Sequence, residues 1–100
     1  MIAFLKGTLV ATTLDSAVID IHGVGYQVLM SGRSLSRLGA TGETVQVLTH
    51  LQVRDDALVL YGFLNQEEKD LFMRLTSVSS VGPKVALAVL STFDPSDAIA

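Results

Sequence analysis

The chain has 100 residues with 7 basic and 10 acidic side chains, a net charge of −3, and neither cysteine nor tryptophan. That excludes disulfides and zinc–thiolate sites, fits a reducing cytoplasm, and argues against a nucleic-acid binder of the broadly basic kind. At 49% hydrophobic it can fill one modest core, yet it has no run of about 18 apolar residues to cross a bilayer.

The N-terminal stretch IAFLKGTLVATT reads as a first strand, and it lacks the basic start and small-residue cleavage site of a signal peptide. AVIDI and YQVLM are two more strands, flanking a glycine-rich turn at His22-Gly23-Val24-Gly25. SGRSLSRLGATGE is a loop with one short helical turn around Leu35. TVQVLTHLQV alternates, with Val45, Val47, Thr49, Leu51 and Val53 on one face. Gln46, His50, Gln52 and Arg54 fall on the other, with Leu48 among them. Asp55-Asp56 interrupts, and ALVLYGF follows at once, which makes a hairpin. Five short strands in about 60 residues predict a small closed barrel, an arrangement that removes exposed edges.

The pattern changes at Asn65. Asn65 with Glu68 three residues on is a capping-box signature, and Glu67, Glu68 and Asp70 suit a helix N-terminus. Leu71, Phe72, Leu75 and Val78 recur at helical spacing. A turn at Ser79-Ser80-Val81-Gly82 ends this helix, and Pro83 opens a second, since a first helical residue has no use for its N–H. Val85, Ala86, Val89 and Leu90 are expected on its inner face. Asp94-Pro95-Ser96-Asp97 reads as a third helix start. A helix cut off by Ala100 would be too short to stand alone, so the chain reads as a fragment ending inside a helical region.

The stretch SSVGPKVALAVL carries the candidate chemistry. A helix N-terminus leaves backbone N–H groups unpaired, glycine permits close approach, and Lys84 adds a cation where the helix dipole alone would disfavour one. Ser79, Ser80, Val81, Gly82 and Lys84 together can therefore hold a phosphate, a contact blind to base sequence. The plain alternative is an αα-hairpin with a glycine turn. Asp55 and Asp56 have a plain reading too, because aspartate is a good turn former. Lys6, Arg33, Arg37 and Arg54 are further candidates for phosphate contact, or solvated surface. His22 and His50 lack ligand spacing, so neither a metal nor a cofactor is implied, and no nucleotide loop or nucleophile motif is present.

The ordered set Gly7, Gly23-Val24-Gly25-Tyr26, Arg54, Asp56, Leu60-Tyr61-Gly62-Phe63, Leu71-Phe72 and Val81-Gly82-Pro83-Lys84 resembles the RuvA family over essentially the whole chain. The resemblance implies an OB-fold barrel over residues 1–63, serving tetramerisation and facing the junction. Residues 64–100 would be the truncated start of a helical domain with a first helix-hairpin-helix. It implies structure-selective binding of Holliday junction DNA, as a homotetramer or a doubled octamer, in recombination and DNA repair. It implies a non-catalytic subunit of a branch-migration complex, with the RuvB ATPase as motor, engaged through a domain beyond Ala100, and the RuvC resolvase in the same pathway. It implies that Asp55 and Asp56 form an acidic pin repelling phosphates at the crossover, and that the protein is cytoplasmic and nucleoid-associated. Ser80 departs from the glycine usual in the family hairpin; a position requiring positive φ would be strained by serine. The competing reading is a small β-barrel adaptor that binds protein and no DNA.

Overall fold

A computed structural model describes residues 1–78 and 80–92. Among them, five strands close the expected barrel: β1 (Phe4–Thr12), β2 (Ser16–Ile21), β3 (Val24–Leu29), β4 (Thr44–Val53) and β5 (Leu58–Phe63). The order around the wall is β1-β2-β3-β5-β4, with β1 returning to β4. All neighbours are antiparallel except β3 and β5, which run parallel where the barrel shuts.

Alternation places Leu5 and Leu9 of β1, Ala17 and Ile19 of β2, Val28 of β3, and Val45 and Val47 of β4 in one buried interior. Thr49 enters the same wall without leaving a polar group unpaired. Its hydroxyl donates to the Ile2 carbonyl at 2.7 Å and its N–H to the Ala3 carbonyl at 2.9 Å. The β2–β3 turn is tighter than the sequence reading, since Val24 and Gly25 already belong to β3. His22 and Gly23 both have positive φ, 52° and 89°. That pairing suits the right-handed twist of a two-residue hairpin.

The helical turn expected near Leu35 is a six-residue helix, α1 (Gly32–Arg37), inserted between β3 and β4. Ser31 caps it by accepting from the Ser34 N–H at 3.1 Å. Leu35 and Leu38 plug the barrel interior.

Helix α2 (Gln66–Thr76) packs on the outer face of β4 and β5, and α3 (Pro83–Thr92) packs on α2 and α1. Asn65 caps α2 by accepting from the Glu68 N–H at 2.8 Å. Phe72 is the centre of this second core. Its ring lies 5.0 Å from Phe63 and 5.2 Å from Tyr61, tilted in both cases. Ala86 and Leu90 bring α3 into the same cluster. Val85, expected on the inner face, is 53% exposed. The contact stripe of α3 is centred on Ala86 and Leu90, which rotates Val85 towards solvent. Asp94 to Asp97, read as a helix start, lie outside the described residues.

His50 on β4 faces α2, with its ring 6.3 Å from Phe72. Burial, and after it the nearby charge of Lys69, hold its pKa below the ordinary 6.5. The unfolded imidazole therefore takes a proton before the folded one does. Stability should be at its full level above about pH 6.5 and should decline as pH falls below that value. Thermal unfolding between about pH 7.5 and pH 5 checks this, and His50→Gln should reduce the slope.

Candidate nucleic-acid interface

Two exposed features flank one groove. The first is the tip of the β4–β5 hairpin. Arg54 and Ala57 exchange backbone hydrogen bonds, Arg54 N–H to Ala57 at 2.8 Å and the reverse at 3.4 Å, so Asp55 and Asp56 occupy the two central positions of a tight turn. Both carboxylates are exposed. The hairpin outgrows the barrel here. Val53 and Leu58 pair across it and are each 71% exposed, although Val53 continues the inward alternation of β4. The acidic turn thus stands clear of the protein body.

The second feature is the connection between α2 and α3. Val81 donates its N–H to Val78 at 2.9 Å, and the Gly82 carbonyl accepts the Ala86 N–H at 3.0 Å. Pro83 is the first residue of α3, as expected. Gly82 is exposed, and a Cβ built there would meet nothing within 4 Å. A phosphate oxygen can therefore reach the backbone. Lys84 follows, exposed, in the first turn of α3. Ser80, standing where glycine was expected, is exposed. Ser79 lies outside the described residues.

Between the two features runs a groove of about 740 Å³, lined in part by Met30, Arg54, Tyr61, Gly82, Lys84 and Ser91. The fold thus brings Arg54 and Lys84, thirty positions apart in sequence, to one surface. The other candidate cations lie elsewhere. Lys6 is exposed on β1, while Arg33 and Arg37 belong to α1, Arg33 half-buried and Arg37 exposed. The groove carries the two cations Arg54 and Lys84 and one carboxylate, Asp15, beside an acidic tip, on a chain whose net charge is −3. At about 0.1 M salt, fields decay over roughly 10 Å, so each feature acts on its own neighbourhood. What sequence reasoning missed is the groove itself, and Ser91 on its wall. Nothing in the local sequence signals a surface shared by a hairpin arm and a helix thirty residues later.

Residues 1–62 match the family model described as RuvA N terminal domain. A protein of Symbiobacterium thermophilum, named Holliday junction branch migration complex subunit RuvA, is 60% identical over 95 residues, covering 95% of this chain and 46% of that protein. Proteins of the same name from Prosthecochloris aestuarii and Rhodospirillum centenum are 44% and 48% identical, covering 91% and 97% of this chain. The chain spans about half the length of these curated relatives.

Proposed function

Since this chain belongs to the RuvA family, we propose that it binds four-way Holliday junctions by structure and independently of base sequence, as the non-catalytic subunit of a branch-migration complex. The observation that carries the reading is the α2–α3 turn, with Gly82 open to solvent, Lys84 beside it and the first N–H groups of α3 behind. Those groups suit a phosphate and offer nothing that distinguishes bases. Ser80 and Val81 belong to the same turn, and Ser79 is kept as a candidate from the sequence alone. Arg54 extends the cationic surface along the groove. Lys6, Arg33 and Arg37 are secondary candidates at the barrel face.

The acidic tip has a different task. Asp55 and Asp56 repel phosphates that come within a Debye length, which keeps strands apart at a crossover and turns them outward. In this reading the barrel, residues 1–63, serves assembly around the junction, and residues from 64 onward begin the phosphate-binding helical domain. The assembly is a homotetramer or paired tetramers. Translocation work comes from a RuvB ATPase, and a RuvC resolvase acts on the same junction.

The test is competition between a synthetic four-way junction and a linear duplex of equal length, over a range of salt. Junction preference and a steep loss of affinity with salt are expected. Lys84→Gln should weaken junction and duplex alike and lower the salt slope by about 1. Asp55→Asn with Asp56→Asn should leave junction binding unchanged or tighten it by up to about fivefold, since a close pair of like charges in water is worth about 1 kcal/mol. Markedly weaker binding by that double variant would refute the repulsive role. Salt-insensitive behaviour with no DNA affinity would favour a protein-binding adaptor.

A further inference from the structure

Helix α1 touches every other part of the described fold, and its polar contacts serve no role in binding so far described. On one side, Leu35 and Leu38 seat it in the barrel interior. On the other, Ser34 donates its hydroxyl to the Glu68 carboxylate of α2. Both residues are buried, Ser34 at 1% and Glu68 at 5% exposure. At its N-terminus, the Gly32 N–H donates to the Ser91 hydroxyl of α3 at 3.0 Å, while that hydroxyl donates to the Leu87 carbonyl at 3.0 Å. A first-turn N–H has no partner within its own helix, so α3 supplies to α1 a cap from a distant part of the chain.

We infer that α1 is a registration brace, and that Ser34, Glu68 and Ser91 are positioning residues that fix where the helix pair sits on the barrel. The two parts also meet in an apolar cluster that includes Phe72, Tyr61, Phe63 and Leu90. Apolar burial is non-directional, and by itself tolerates sliding and rotation of a helix pair over a sheet. Hydrogen bonds to fixed donors do not. A buried carboxylate is costly unless satisfied, so helix placements that separate Glu68 from Ser34 are penalised. The placement matters because the Val81–Lys84 turn belongs to the helix pair and the Asp55–Asp56 tip to the barrel. Their separation decides which DNA geometry can touch one while avoiding the other. This last step rests on the function proposed above; the brace itself does not.

Because the chain contains no cysteine, two introduced ones give unique label positions. Nitroxides at Gln46→Cys on β4 and Ala88→Cys on α3 report the inter-part distance distribution by pulsed electron resonance. The distribution should be narrow in the parent and at least about twofold broader in Glu68→Ala and in Ser34→Ala, each of which removes a hydrogen bond to a charged group. Glu68→Gln should restore the narrow distribution, because its amide oxygen still accepts from Ser34. On DNA, Glu68→Ala should lose about tenfold of junction-over-duplex preference with duplex affinity retained, and Glu68→Gln should regain it. Ser34→Ala provides the measurement should Glu68→Ala not fold. An unchanged distribution in the alanine variants overturns the brace, whatever the DNA result. A parent chain with no junction preference, but a broadened distribution in the variants, overturns the DNA reading and upholds the brace.

Discussion

Phe72→Ala should destabilise the docking of the helices on the barrel by about 3–5 kcal/mol, the range for removing a fully buried aromatic side chain. Phe72 is 1% exposed and lies against Phe63, Tyr61 and His50. Its ring is thus the centre of the second core, and the aromatic rings left around the void cannot close over it. Against a typical total of about 5–15 kcal/mol, the loss is large. It should also be uneven. The barrel interior contains none of the Phe72 contacts, since Leu9, Ile19, Val28 and Val47 form a separate cluster. Far-ultraviolet circular dichroism during urea unfolding should therefore show helix lost at lower denaturant than strand. A single transition displaced by less than about 1 kcal/mol would show that the helices do not depend on this ring.

Gly7→Ala is expected to act on the barrel instead, and to cost about 1–3 kcal/mol or more by overpacking. A Cβ at Gly7 would lie 2.4 Å from the Asp20 carbonyl oxygen and 2.8 Å from Cγ1 of Ile21. The isoleucine can turn its side chain away. The carbonyl belongs to the backbone of β2, which pairs with β1 at Thr8 and Asp20, so relief requires moving a strand of a closed wall. Equilibrium urea unfolding of the variant should give an earlier midpoint with strand and helix signals lost together, because α2 rests on β4 and β5 and α3 packs on α2. A midpoint equal to the parent would mean that β1 and β2 can separate locally at no cost.

Much of this architecture can be read from residue order. Alternation along Thr44–Val53 fixes a strand, Asp55-Asp56 its reversal, Asn65 and Pro83 the two helix starts, and these positions recur in the structure. The exceptions share one cause, which is that a strand or helix pattern names two faces without saying what covers each. Leu48 among polar neighbours was the trace of a second buried face on β4, the one that meets Phe72. Val53 keeps the inward pattern but stands in solvent, because the hairpin extends past the barrel rim. Val85 was assigned inward by spacing alone, whereas the contact stripe centres on Ala86 and Leu90. The candidate site divides in the same way. The turn at Val81–Lys84 and the tip at Asp55–Asp56 are local and legible. The groove joining Arg54 to Lys84, and the link from Ser34 to Glu68, exist only once the chain is folded.

The seam of the barrel has a consequence for the newly made chain. Strands β1, β2 and β3 form a meander that can pair as it emerges, but the outer edge of β1 must wait for β4 and that of β3 for β5. At roughly 5–20 residues per second of synthesis, the wait is on the order of seconds. During it the nascent sheet shows two bare edges, each a template for pairing with a neighbouring chain. Lys6 sits on the waiting edge of β1, opposite the later position of Gln46. A charged side chain on an unpaired edge discourages intermolecular pairing. Lys6 is thus placed to discourage such pairing until β4 covers that edge.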